Sequence, residues 1–409
     1  MVKTFLLDNG IRIITKKLDG AKSISIGVFV GVGSAFETEK ENGISHFIEH
    51  VNFKGTKKRT AFDVVRDPES LGIILNAATS KEYTYYYTKS LSEHTEKALE
   101  ILSDIFIEST YPEDELEREK GVVIEEINMY EDTPDDVCAT ELSRATFGGG
   151  AGYGKKILGT KRNVQRFSRQ DVLAYKQKYY TTDNVVLSFA GDLDAENILK
   201  LCEKYFGAMP KSKRHKAPRH VTENLCKEIV RKKKIEQEHV ALGFTAPSRE
   251  DELFDEYQVM ANVLGGGMSS RLFQTVREKM GLCYTIESYI QSYKDCGSMT
   301  VYAGVREGCL DKTVDAVFTE LKKFKKYGVT EEEFSCVKEQ IKSSIVFSEE
   351  STSAQMTVYG RKFLIENAVY DPSERLSRFD KMSLINLNGA IFDSFDIENY
   401  AVSKVVKMK

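Results

Sequence analysis

The sequence predicts an α+β protein with two structurally similar domains. Each is expected to be a mostly antiparallel sheet packed with helices, the two related by internal duplication. Three observations lead there. At 409 residues, 41% of them hydrophobic, the chain is long enough for two cores of about 200 residues each. Strands and helices alternate irregularly, and hairpin signals call for antiparallel pairing rather than a doubly wound sheet. Finally, the second half repeats the order of the first. LSEHTEKALEILSDIFIESTYPEDELEREKGVVIEEI and GCLDKTVDAVFTELKKFKKYGVTEEEFSCVKEQIKSSI each read as a helix pair after a tyrosine-containing strand.

The elements follow in order. Asp8-Asn9-Gly10 joins two short apolar runs and is a hairpin turn. Ser23 to Val32 alternates and is β-branched, hence a strand. Asn42 to about Gly55 has helical spacing, with Ile44, Phe47, Ile48 and Val51 on one side. Asn76 to Leu91 reads as a strand, His94 to Ile107 as an amphipathic helix and Thr110 to about Tyr130 as a longer one. Ser109 or Thr110 would cap that helix, Pro112 suits its first turn, and Glu113, Asp114 and Glu115 favour its positive end. Asn184 to Gly191 is a buried-type strand. MPKSKRHKAPRHVT, residues 209–222, has two prolines and a basic cluster and reads as a linker. The expected division is 1–210, a linker at 211–225, and 226–409. Beyond it, Val240–Phe244 and Ser298–Gly304 read as strands. Asp255–Leu264, Leu310–Tyr327 and a long segment from Thr330 read as helices.

The composition excludes several classes. A net charge of −4 calls for neither nucleic acid nor an anionic membrane as partner. The seven scattered cysteines form no CxxC pair and suit a reducing compartment better than a disulfide framework. The N-terminal text is too polar for a signal peptide, and no apolar run is long enough to span a bilayer. A cytoplasmic protein is expected. GGGMSS at 265–270 lacks the GK[ST] of a P-loop, GxSxG is absent, and no cysteine has a recognisable nucleophile context.

Chemistry concentrates in HFIEH, residues 46–50. On a helix, His46 and His50 lie on one face in successive turns and can reach one metal ion. Glu49 leans to the same side, where it can hold a water; HxxEH is the inverzincin order. The plain alternative is two surface histidines beside an unrelated carboxylate. A catalytic zinc needs a third protein ligand. In ELEREKGVVIEEINMYED, Glu119 and Glu126 share a face with Val123. One could complete a His₂Glu site and the other orient a ligand, unless both belong to a solvated acidic face.

Further segments follow in order: GISHFIEHVNFKGT, LNAATSKEYTYYY, EREKGVVIEEINMYEDTPDD, ILGTKRNVQRFSRQDVLAYKQKYY, NVVLSFAGDLD, VLGGGMSSRLFQTVREKMGLCY and YAGV. Together they resemble an M16-type peptidase, of the insulinase, pitrilysin and mitochondrial-processing-peptidase superfamily, in its short bacterial branch. The resemblance implies one zinc per chain, carried by the first domain. By motif, His46, His50 and Glu126 match its ligands, Glu49 the general base on the activated water, and Glu119 an acidic residue one step behind the metal. Arg277 and Tyr284 match a pair that the second domain offers to substrate, where a guanidinium and a phenol stabilise developing oxyanion charge. Asn76 and Ala77 match a substrate-side edge strand, to which an extended peptide adds by main-chain hydrogen bonds.

The implied function is a zinc-dependent endopeptidase acting on peptides in a closed chamber, in a bacterial cytoplasm. The alternative is a non-catalytic, peptide-binding or structural partner subunit. A chamber needs four such domains, so a homodimer is expected. Three positions depart from the family's usual text: Asn52, Ile73 and Pro68. Pro68 would break a helix interior unless Asp67 caps a fresh turn.

Overall fold

In a computed structural model, described for residues 1–149, 152–213 and 228–408, the Asp8-Asn9-Gly10 turn joins β1 (Val2–Leu6) to β2 (Arg12–Lys17) as an antiparallel hairpin. Gly10 supplies the left-handed backbone, φ 98°, that the turn requires. β3 (Ser23–Val30) precedes the two helices α1 (Ile44–Val51) and α2 (Ala61–Glu69). The tyrosine-rich run expected as one strand is a hairpin of β4 (Ile74–Thr79) and β5 (Thr84–Leu91). Its turn contains neither glycine nor proline. The Ser80 hydroxyl donates to the Tyr83 carbonyl and accepts the Tyr83 N–H, which closes it. Helices α3 (Thr95–Ile107), α4 (Glu113–Asp132) and α5 (Pro134–Phe147) follow, and β6 (Val185–Gly191) completes the sheet, in the order β1-β2-β6-β3-β5-β4.

The second sheet is built from β7 (Glu228–Lys233), β8 (Glu238–Ala246), β9 (Cys283–Ser292), β10 (Gly297–Val305) and β11 (Tyr400–Lys407), in the order β7-β11-β8-β10-β9. Removing β1 from the first sheet leaves β2-β6-β3-β5-β4, the same topology strand for strand. In each case the first pair is parallel and the others antiparallel. The internal duplication is therefore explicit in the strand order.

The two compact units are not the contiguous stretches 1–210 and 226–409. One holds Met1–Ile127, the described part of Lys156–Arg219, and Val346–Asp371. The other holds the described parts of Asn128–Lys155, His220–Ile345 and Pro372–Lys409. The reason is hydrophobic burial. Within the second unit, α5 packs Cys138, Leu142 and Ala145 against Ala241, Ala401 and Val405. Within the first, the helix Thr352–Ile365 packs Met356, Tyr359 and Leu364 against Ile14, Phe29, Val186 and Ala190. Gly360 makes that fit, since a Cβ there would lie 2.4 Å from the Phe29 ring. Each sheet thus covers one face with a helix from the other half of the sequence. Most of the expected linker, with His215 and His220, lies outside the described residues, as does Cys226 just after it. Among the described residues no helix is long and apolar enough to cross a membrane.

Two capping expectations need correction. Ser109 and Thr110 do not cap α4; their hydroxyls donate to the carbonyls of Asn52, Ile105 and Gly55, and Tyr111 turns the chain with φ 52°. Asp67 does not start a fresh turn either. Pro68 sits in the last turn of α2, and the helix runs on past it, with Ser70 N–H donating to the Arg66 carbonyl. Asp67 instead accepts from Arg59 Nε at 3.0 Å.

Arg59 joins α2 to α3. Its buried guanidinium contacts Glu100 Oε2 and Asp104 Oδ2 at 2.6 Å each, and Thr56 Oγ1 adds a hydrogen bond to Asp104 at 2.8 Å. Burial pulls the Glu100 carboxyl upward, but the Arg59 hydrogen bonds outweigh it and leave it below 4.5. A carboxylate lowered in this way stabilises the fold above its unfolded pKa and loses that contribution as pH falls through the folded value. Replacing Arg59 by Met should cost about 3–5 kcal/mol at neutral pH, because buried carboxylates lose their partner. The loss should shrink at pH 3. Urea midpoints at the two pH values test this; an unchanged midpoint at pH 7 would contradict it.

Candidate metal centre

α1 forms because Ile44, Phe47, Ile48 and Val51 fall on one buried face, leaving His46, Glu49 and His50 along one border. Its N-terminus has no side-chain cap of its own. Gly43 enters it with φ 101°, and Glu37 reaches the free N–H groups from a preceding turn. The Glu37 carboxylate accepts from Gly43 N at 2.8 Å, Ser45 N at 2.9 Å and Asn42 Nδ2 at 2.9 Å. A carboxylate there also complements the positive end of the helix dipole.

α4 meets α1 through one side. Leu116, Glu119, Val123 and Ile127 are its buried positions, and Glu126 is half-buried beside them. His50 Nδ1 donates to Glu119 Oε1 at 2.9 Å, and Lys54 Nζ lies 2.6 Å from Glu119 Oε2. Both oxygens of Glu119 are thereby committed. The Nδ1 proton is fixed, which leaves Nε2 as the ring atom facing Glu126. His50 Nε2 lies 3.2 Å from Glu126 Oε2, and His46 Nε2 lies 3.5 Å from the same oxygen. One ligand atom each from His46, His50 and Glu126 lies within 4.8 Å of the others.

The donor set fits a divalent cation. Tetrahedral zinc with bonds of about 2.0–2.1 Å separates its ligand atoms by about 3.4 Å, which the 3.2 and 3.5 Å distances bracket. Glu126 Oε2 is buried without a hydrogen-bond partner. Electrostatics point the same way. Burial, then the nearby His50, lowers His46 to about 4. Burial opposes protonation of His50 as well, but the adjacent carboxylates of Glu119 and Glu126 overcome it and raise the group to about 9. Glu126 is lowered chiefly by the adjacent His50. A divalent cation bound at this point would displace the His50 proton and leave both imidazoles neutral, as ligands must be.

Glu49 is held separately. Thr79, the last residue of β4, donates its hydroxyl to Glu49 Oε2 at 2.5 Å, and its backbone N–H also bonds the carboxylate. Burial nevertheless leaves the Glu49 pKa raised, which suits a group that must gain and lose a proton. β4 is an edge strand, so Asn76 and Ala77 lie on the outermost strand of the sheet. Ala77 N–H bonds the side-chain oxygen of Asn76.

Arg277 and Tyr284 belong to the second unit. Arg277 lies on a single wide π-type helical segment, Phe273–Lys279, with its guanidinium carbon 4.3 Å from the Phe273 ring centroid and 5.5 Å from that of Tyr284. Tyr284 is 74% exposed. The two residues are neighbours presenting a cation and a phenol together. Asn52, buried beyond α1, accepts from Tyr111 Oη at 2.6 Å and lies 3.4 Å from Lys176 Nζ; its own amide nitrogen has no partner.

Sequence reasoning missed Glu37, Lys54 and Thr79. Only Lys54 carried a usable signal, four residues after His50 and so one turn on along the same face.

Comparison with known proteins agrees with this geometry. A family described as Insulinase (Peptidase family M16) matches residues 12–161, and one described as Peptidase M16 inactive domain matches residues 166–341. An uncharacterised zinc protease of Bacillus subtilis (strain 168) is 40% identical over 99% of this chain and 98% of its own. Another, from Rickettsia bellii, is 34% identical over 90% of this chain and 89% of its own. A protease structure from Helicobacter pylori superposes with a TM-score of 0.92 at 22% identity, covering 99% of both chains. A putative M16-like peptidase from Alicyclobacillus acidocaldarius gives 0.87 at 19%, covering 100% of this chain and 98% of its own. With both halves matched in order and close relatives spanning nearly its whole length, the chain belongs to the M16 family of peptidases, in its short bacterial branch.

Proposed function

We propose that the protein is a zinc-dependent endopeptidase whose metal is held by His46, His50 and Glu126. The observation that carries this reading is the convergence of two imidazole Nε2 atoms on one buried, unpartnered carboxylate oxygen at 3.2 and 3.5 Å. Zinc at this point would polarise the scissile carbonyl and lower the pKa of water. Glu49 takes the proton from the attacking water and delivers it to the leaving amine nitrogen as the C–N bond breaks. Thr79 aims Glu49, and Glu119 with Lys54 keeps His50 in the ligating tautomer. The Arg277–Tyr284 pair donates to the carbonyl oxygen as negative charge develops there. The peptide adds to β4 beside Asn76 and Ala77. Two identical chains close the chamber in this proposal.

A non-catalytic partner subunit is the rival reading, and the inactive-domain match at 166–341 favours it for the second half alone. The triad, Glu49 and Glu119 all belong to the first half and are intact, which favours the peptidase.

The Glu49→Gln variant should retain one zinc per chain by elemental analysis while peptide turnover falls by about 10²–10⁴-fold or more. Undiminished cleavage would refute the assignment. The Glu119→Gln variant should weaken zinc affinity about 10–100-fold in competition with a chelator, as loss of a ligand's orienting partner does. Unaltered affinity would place Glu119 outside the metal's surroundings.

A further inference from the structure

The segment VVRDPESLGIIL, conspicuous in the sequence for its proline, has an outcome beyond the metal centre. α2 ends at Glu69 one residue after Pro68. The chain then turns back, with Leu71 N and Ile73 N both donating to the Pro68 carbonyl, at 3.0 and 2.9 Å. Gly72 permits the turn with φ 64°. An open cavity of about 440 Å³ results between the end of α2 and the start of β4. Its walls are chiefly apolar: Phe53, Val65, Pro68, Ile73, Ile74 and Leu75. Ile73 is buried, but Val65 and Ile74 on the rim are 48% and 58% exposed. Phe62, one turn before Val65, is 69% exposed. So much apolar surface beside a sheet edge calls for a cover.

The edge itself indicates what covers it. Ala77 N–H is bonded to the Asn76 side chain, and Thr79 N–H to Glu49, so neither points at β5. Ser80 N–H, in the opposite phase, bonds back to Tyr83. Main-chain groups alternate along a strand, so residues 75, 77 and 79 line the free edge. A peptide added there starts at Glu49 and reaches the cavity after about 17 Å, or about five residues. Antiparallel addition, the more stable kind, places those residues on the C-terminal side of the cleaved bond.

Building on the proposed peptidase activity, we infer that this cavity is a distal substrate subsite. It accepts a large apolar side chain, such as Leu, Phe or Met, about four or five residues C-terminal to the cleaved bond. Val65 and Ile74 determine its specificity.

The test uses the zinc-loaded full chain and a set of quenched fluorogenic peptides. They are identical except that Leu or Ser occupies one of the first six positions after the cleaved bond, or of the four before it. Leu at the fourth or fifth following position should raise kcat/KM about tenfold or more, through KM rather than kcat, because the contact forms equally in ground and transition states. Val65→Asp should bring the Leu/Ser ratio close to one, and Val65→Ile should preserve it. A ratio near one in the unaltered protein, a preference confined to the N-terminal side, or an unchanged ratio in Val65→Asp would overturn the subsite while leaving the peptidase standing. Absence of any chelator-sensitive cleavage would overturn the peptidase reading and the subsite together.

Discussion

One imidazole, that of His50, is gripped from both sides by carboxylates of the same helix. Glu119 accepts a hydrogen bond from its Nδ1 and Glu126 faces its Nε2. The two acidic residues are two turns apart, so the grip works only while α4 keeps its register against α1. A slip of one residue would rotate both carboxylates by about 100°. Val123 and Ile127, buried in the core between and beside them, prevent such a slip, and Glu37 anchors the start of α1. Burial energy and metal geometry are therefore coupled. The hydrophobic stripe of α4 aligns the same face that offers the acidic groups.

The two sheets share one topology, but among the described residues only the first carries this cluster. The helix between β8 and β9, Phe254–Gly265, occupies the place in the strand order that α1 holds between β3 and β4, and it contains neither histidine nor cysteine. Gln258 and Asn262 there keep the spacing of four residues without metal-binding side chains. Where the first half invested in imidazoles, the second kept Arg277 beside Tyr284. The fold is thus a frame for either task, and function resides in the residues placed upon it.

Much of the site was legible from spacing. HxxEH needs only the 3.6-residue period to bring both imidazoles to one side. Spacing could not choose between Glu119 and Glu126, because both lie on one helix face; only the resemblance, and then the tertiary contact to His50, separates them. Thr79 and Glu37 were illegible for a related reason. They act on α1 from 30 residues downstream and from a turn upstream, and nothing local marks them. The single strand expected at 76–91 is a hairpin because a serine side chain, rather than glycine or proline, makes its turn. The exchange of α5 and the helix Thr352–Ile365 between units was also hidden. An amphipathic pattern says that one face is buried, not which sheet buries it.

The coordination of the metal itself is the most direct test. X-ray absorption on the zinc-loaded protein should find two imidazole nitrogens and at least one oxygen at about 2.0–2.2 Å, with one imidazole lost in His50→Ala. A sulfur shell near 2.3 Å, or a spectrum indifferent to His50, would mean that zinc binds elsewhere and would remove the basis of the account.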